Sequence, residues 1–224
     1  MEDITHSLAL TLGVGWASGI NLYAAILVLG FMGLTGRMDL PVGLEVLSDP
    51  LVMFAAGFMY LMEFFADKTP GVDTAWDSIH TFIRIPAGAL LAAGAVGDIG
   101  PGAELAAAIA GGGLAAATHA AKAGARVIIN TSPEPFSNWA ASFTEDFAVV
   151  GGLLVAINHP LVFLILLVLF ILLLIWILPK LWRGIKRIFG ALGRFFGAKS
   201  EEPPSQPPKP PSGPPRLGKP RGGG

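Results

Sequence analysis

The chain has 224 residues, of which 53% are hydrophobic and only 14% charged, and its net charge is −1. An average soluble domain carries about a quarter charged residues, so this composition excludes an ordinary soluble protein, and the absence of cysteine excludes a disulfide framework, a thiol nucleophile and a Cys-ligated metal site. The charge is unevenly placed: residues 1–178 hold 5 Lys+Arg against 14 Asp+Glu, whereas residues 179–224 hold 10 against 2.

The chain begins Met1-Glu2-Asp3-Ile4, acidic where a secretory signal is basic, and the apolar run behind it outlasts an h-region. It reads as a retained first span, 8–34. Further apolar segments follow at 50–66, 74–97, 103–127, 137–157 and 160–179, each near the 17–25 residues that cross about 30 Å of hydrocarbon. The last contains eighteen consecutive uncharged residues, 161–178. The third and fifth carry internal charges, so each reads either as a full span or as an interfacial helix followed by a half-span. The expected fold is an all-α membrane protein, a polytopic bundle of about six transmembrane helices.

Orientation follows from the basic residues of the short loops. Lys180, Arg183, Lys186, Arg187, Arg194 and Lys199 place the C-terminus on the cytoplasmic side, and an even number of spans places the N-terminus with it. The turns around Lys68 and Arg126 then face inward, and the remaining loops, near 35–49, 98–102 and 158–160, contain a single basic residue, Arg37. Residues 1–179 thus form the membrane domain. Residues 180–199 space Trp182, Ile185, Ile188, Phe189, Leu192, Phe195 and Phe196 among six basic residues, a pattern that suits a surface helix drawn to anionic lipid, or simple positive-inside flanking. Residues 200–224 are Pro- and Gly-rich, have no apolar surface to bury, and are expected to be extended and disordered.

Shifting the chain against itself by 63 residues places Thr69-Pro70 on Ser132-Pro133, Trp76 on Trp139, Thr81 on Thr144 and Gly88-Ala89-Leu90-Leu91 on Gly151-Gly152-Leu153-Leu154. The Pro, Trp and Thr matches are the informative ones in so apolar a chain. They predict a two-helix duplication in which the second and third spans correspond to the fourth and fifth, a parallel repeat of the kind found in some transporters. The same offset places Glu63 on Arg126 and Asp67 on Asn130, and opposite charges at equivalent positions could meet across a pseudo-two-fold axis.

Two constellations are candidates for function. Ser18-Gly19-Ile20-Asn21-Leu22-Tyr23 interrupts the first span near its centre, and polar groups at that depth must find partners within the protein. Two readings are open: a locally unwound helix whose backbone and Asn21, with Ser18 and Tyr23, line a solute site, or close packing through Gly15 and Gly19 with Asn21 and Tyr23 bonded to a neighbouring helix. The second is a set of charged stripes at helical spacing: Glu63 and Asp67; Asp73, Asp77, His80 and Arg84; His119, Lys122 and Arg126, with Asn130 beyond. Glu145 and Asp146 lie deeper in the fifth span and point about 100° apart, which is poor geometry for joint acid–base work. A charge near the bilayer centre costs at least about 2.5–3.5 kcal/mol, so such residues pair and often mark a pathway. Here they form either a pathway or an ion-pair lock.

The chain contains no H-E-x-x-H, G-x-S-x-G or G-x-x-x-x-G-K-[ST] pattern, so enzyme chemistry is unsupported and no cofactor is implied. The leading functional reading is a small-solute or ion permease; the alternative is a scaffold that recruits lipid or a partner through its charged turns and basic tail. Membrane lipid is the expected partner and nucleic acid is not. The small faces Ala106-Ala107-Ala108 and Gly111-Gly112-Gly113 allow close helix contacts within one protomer or between two.

Three stretches, SGINLY (18–23), EFFADKTPGVDTAWDSIH (63–80) and NTSPEPFSN (130–138), resemble a bacterial membrane-protein family known only as a domain of unknown function. The resemblance covers roughly residues 8–157 and leaves the last span and tail outside. It implies an inner-membrane location and a family origin for the polar motifs, and no activity.

Overall fold

The computed structural model describes residues 2–97, 99–131 and 136–197. Asp98, the Ser132-Pro133 half of one repeat match, Lys199 and the tail from residue 200 lie outside the described residues. The described residues form six α-helices and one 3-10 helix: α1 Glu2–Leu34, the 3-10 helix Val42–Ser48, α2 Pro50–Ala66, α3 Val72–Ala95, α4 Pro101–Ile129, α5 Phe136–Asn158 and α6 Pro160–Gly197. Among the described residues there is no strand.

The helix starts are written in local chemistry. Proline opens α2, α4 and α6, where its fixed φ suits the first turn and its missing N–H deprives the helix of nothing. Asp49 adds a cap to α2, its Oδ1 accepting from Leu51 N at 2.7 Å and Val52 N at 3.3 Å. Gly71 and Gly100 precede α3 and α4 with φ of 85° and 128°, values that exclude most side chains and let the chain reverse within a few residues.

The bundle is organised around α1, which packs against α3, α4, α5, α2 and the 3-10 helix. Small residues set the spacing: a Cβ on Gly15 would lie 2.6 Å from Gly111 Cα, and one on Gly88 would lie 2.6 Å from Ala115 Cβ. Backbones this close gain dispersion contacts that lipid tails cannot supply. The segment expected to be a plain loop, 35–49, instead tucks its 3-10 helix into the bundle. Leu44 and Leu47 are buried, Gly43 approaches Gly94, and the helix meets α2 at a 70° bend.

Helix α6 presents one narrow stripe, Phe163, Leu167, Phe170 and Leu174, whose spacing of three and four residues keeps it on a single face. Trp16 meets Phe163 and Phe170 edge to face at 5.9 and 6.1 Å. No break separates a span ending at 179 from a surface helix; the helix continues through Pro179 to Gly197. Leu181 and Ile185 approach Gly124, and Gly184 approaches Ile128, so Ile185 faces α4 while Trp182 stays exposed.

Polarity is inverted relative to a soluble protein. Leu51, Phe54, Phe82, Leu90, Ile109, Phe147, Leu161 and Ile175 are exposed, while Glu63, Asp73, Arg84 and Arg126 are 0% exposed. A molecule with charge inside and hydrocarbon outside has lipid as its solvent. Among the described residues three helices, α1, α5 and α6, are long and apolar enough to cross a membrane, and the bent pair of the 3-10 helix and α2 supplies a fourth segment as a broken span or re-entrant loop. The protein is all-α and of membrane type.

Candidate functional site

Helix α1 is broken at Asn21. Its φ of −146° and ψ of 96° are extended, so residues 2–20 and 22–34 are two half-helices in one span. A break at this depth leaves carbonyls of the first half and N–H groups of the second without helical partners. Asn21 caps the second half itself: its Oδ1 accepts from Ala24 N at 2.9 Å, the N3 position. The first half is satisfied from other helices. Lys122 Nζ donates to Ile20 O at 3.1 Å, Arg84 Nη1 reaches Gly19 O at 3.5 Å, and Thr118 Oγ1 donates to Trp16 O at 3.2 Å. Two cations thus sit at a helix C-terminus, where the macrodipole favours positive charge.

The stripes predicted on α2, α3 and α4 meet beside this break, and Glu145 of α5 joins them. Arg84 binds Glu63 at 2.5 Å and Asp77 at 3.3 Å. Lys122 binds Asp67 at 2.9 Å, Glu63 at 3.1 Å and Glu145 at 3.3 Å. Arg126 binds Glu145 at 2.7 Å and Asp67 at 3.5 Å, and donates to the Asp67 and Asn138 carbonyls. Glu63 and Arg126, which could have met directly, are instead joined through Lys122, because each already has a closer partner on its neighbouring helix.

The histidines and the remaining predicted residues lie around this core. His119 Nδ1 accepts from Arg84 Nη1 at 3.1 Å, since a guanidinium only donates. Its Nε2 then carries the proton, facing Asp77 O at 3.1 Å and Thr81 Oγ1 at 2.8 Å. His80 donates from Nδ1 to Trp76 O, meets the Tyr23 hydroxyl at 3.1 Å through Nε2, and stacks on Trp76 at 4.3 Å. Asn130 donates to both Asp73 oxygens at 2.7 and 2.9 Å and accepts from Asn138. Glu145 and Asp146 diverge as their spacing requires: the first faces Arg126 and Lys122, the second accepts from Asn21 Nδ2 at 2.9 Å and lies near Tyr60. Ser18 stands apart from the charges, donating to Val14 O.

In the turn between α2 and α3, Lys68 lies over the Phe64 ring at 3.1 Å and donates to Ser142 on α5 at 3.0 Å. Its partial burial holds the ammonium below the usual lysine range. Tyr60, Trp76, Thr81, Thr118, Asn138 and Ser142 join the site without having been singled out as site residues. Asn138 and Trp76 sat in plain view within the family-like stretches; the hydroxyls carried no signal, because Ser and Thr in an apolar helix most often bond their own backbone.

A sequence model described as Domain of unknown function (DUF4126) matches residues 8–180. The chain belongs to the DUF4126 family. The match takes in every residue of the buried charged cluster and, beyond the expected limit at 157, the apolar part of α6 as well. No curated protein and no solved structure matches the chain.

Asn21 is therefore both cap and ligand, and its two roles separate by substitution. Asn21→Ala removes the cap, a loss of about 0.5–2 kcal/mol, and leaves Asp146 without its amide donor. Asn21→Ser keeps a capping oxygen and loses only the donor. Unfolding titrations in mixed micelles should rank wild type above Asn21→Ser and Asn21→Ser above Asn21→Ala; equal stability of all three would show that the break is held without Asn21.

Proposed function

We propose that this DUF4126 protein is a small-solute or ion permease of the bacterial inner membrane, with six spans and both termini cytoplasmic. The observation that carries this reading is the broken α1, whose freed carbonyls at Gly19 and Ile20 are held by the buried cations Arg84 and Lys122. Interrupted helices with charged groups at the break are how many transporters build a solute site at mid-membrane, because irregular backbone is tolerated there only where protein or a polar cavity surrounds it. A duplication of α2–α3 into α4–α5 is consistent with the helix ends: Ala66 and Ile129 close α2 and α4, and Ala95 and Asn158 close α3 and α5, each pair 63 residues apart.

Reconstitution tests it. Purified full-length protein in liposomes is expected to raise the flux of ions or small solutes above protein-free liposomes, and Arg84→Ala and Asn21→Ser should abolish that rise. Flux that persists in both variants, with folding retained, would sink the permease reading.

The membrane-proximal end of α6 favours a second reading. Lys180 lies 2.7 Å from the Trp176 ring centroid and Lys186 lies 5.2 Å from that of Trp182, and such basic–aromatic pairs suit an anionic headgroup layer. In a scaffold, the tail beyond would recruit the partner. Deleting residues 200–224 separates the two readings: a permease keeps its flux, whereas a scaffold loses its partner in a pull-down.

A further inference from the structure

Four carboxylates crowd around one ammonium. Lys122 Nζ lies 2.9 Å from Asp67 Oδ2, 3.1 Å from Glu63 Oε1, 3.3 Å from Glu145 Oε2 and 3.9 Å from Asp77 Oδ1, and it also donates to Ile20 O at 3.1 Å. An ammonium has three protons to give, and the four acceptors within 3.3 Å already exceed them. The ion pairs of the cluster join Glu63, Asp67, Asp77 and Glu145 to Arg84, Lys122 and Arg126. Fully ionised, the set is one positive charge short, in a space where Glu63, Asp67 and Asp77 are at most 3% exposed. Like charges sharing a buried site resolve their repulsion by holding a proton.

A second observation says where. Glu63 Oε2, Asp67 Oδ1 and Asp77 Oδ2 are buried and have no hydrogen-bond partner among the described residues. Of the three side chains, Asp77 is the least compensated: its Oδ1 meets Arg84 Nη1 at 3.3 Å, and the Lys122 ammonium is 3.9 Å away. Glu63, by contrast, takes both Arg84 and Lys122, and Asp67 takes Lys122 at 2.9 Å. The groups facing Asp77 are Arg84 on its own helix, Glu63 and Asp67 on α2, and His119 and Lys122 on α4. His119 is no competitor for the proton, because Arg84 donates to its Nδ1 and an imidazolium has no acceptor to offer.

We infer that Asp77 is a proton-binding site and that the proton is the ion this protein couples to or carries, a step that rests on the permease reading of the same cluster. A proton from water adds to Asp77 Oδ2 and forms an O–H bond; no covalent bond breaks, and the cluster passes from one net negative charge to none. The neutral acid holds Arg84 less firmly. Arg84 also contacts Gly19 O, so protonation of Asp77 bears directly on the broken segment of α1.

Infrared difference spectra of the full chain in liposomes, acid minus alkaline, read the acid directly. Wild type should show the carbonyl stretch of a protonated carboxyl group, Asp77→Asn should lack it, and Glu45→Gln, at an exposed position, should keep it. Asp77→Glu covers the case in which Asp77→Asn does not fold: it keeps an acid there and should move the band, and an unmoved band overturns the assignment. The same liposomes, loaded with a pH-sensitive dye and given an external acid jump, report proton entry, expected to fall in Asp77→Asn to the level of protein-free liposomes. A band that depends on Asp77 without proton entry supports the proton site and removes the proton as an ion that the protein carries unaided. Proton entry that survives Asp77→Asn keeps the permease and overturns Asp77 as its proton site.

Discussion

Lys122→Met should be the most damaging single substitution in the buried cluster, lowering stability by about 3–5 kcal/mol, the range for removing one partner of a buried ion pair. The ammonium is shared by Glu63, Asp67, Glu145 and the Ile20 carbonyl, and methionine fills the space without neutralising any of them. Arg126 still holds Asp67 and Glu145, and Arg84 still holds Glu63, so what is left is a surplus of two negative charges rather than one. Lys122→Arg should recover part of the loss, limited by a planar fork that cannot serve acceptors arranged around a tetrahedral ammonium. The deciding measurement is a double-mutant cycle on unfolding in mixed micelles. Lys122→Met with Asp67→Asn should lose less than the sum of the two single changes, because the second removes a charge the first strands. Additivity would mean that Lys122 acts through packing alone.

Gly19→Val should cost nearly as much, through backbone geometry instead of charge. A Cβ at Gly19 would run into the Thr118 hydroxyl and the Ala115 carbonyl oxygen, and would stand 2.9 Å from Ala115 Cα. Two of these are backbone atoms of α4 and cannot rotate away. Overpacking of this kind costs typically about 1–3 kcal/mol, and here α1 and α4 must separate at the residues where Lys122 and Arg84 reach the broken segment. Gly19→Val should therefore lower stability and disturb the cluster together, whereas Gly113→Ala and Gly151→Ala, where an added Cβ meets open space, should be neutral or gain up to about 1 kcal/mol of helix propensity. Equal effects at Gly19 and Gly113 would show that the close approach is not stability-determining.

The legible part of this protein was its periodicity. Helical spacing alone put Glu63 with Asp67, Asp77 with Arg84, and His119 with Lys122 and Arg126 on single faces, and those faces converge. Of the two open readings of SGINLY, the unwinding belongs to one and the packing to the other, and the structure has both: the segment is unwound at Asn21, Gly15 and Gly19 bring α4 into backbone contact, and Asn21 and Tyr23 bond to Asp146 and His80. What stayed illegible was pairing across helices. Sequence places Glu63 and Arg126 at one offset, yet Lys122 lies between them, because which side chain reaches which depends on interhelical distances that small residues set. The 3-10 helix at Val42–Ser48 was hidden for another reason: Leu44 and Leu47 are too few to register as periodic, and their burial depends on Gly30 and Gly43 letting α1 and α3 come close. The continuity of α6 through Pro179 was missed by treating proline as a boundary, whereas a helix with lipid or protein around it tolerates the lost hydrogen bond.

The pairing of Glu63 with Arg84 bears on how the chain enters a bilayer. The two residues lie on α2 and α3, joined by the short turn at Lys68, and they are among the earliest charged groups of the cluster to be synthesised, ahead of Lys122 and Arg126. Presented singly, each would be charged at least about 2.5 kcal/mol by the hydrocarbon; presented as a hairpin, they arrive already neutralised by one another. The surplus acids Asp67 and Asp77 then wait for α4, whose cations close the cluster and fasten α1 at Gly19 and Ile20. The groups that hold the break of α1, Arg84 and Lys122, lie on α3 and α4, so the conformation at Asn21 depends on helices that follow it in the chain.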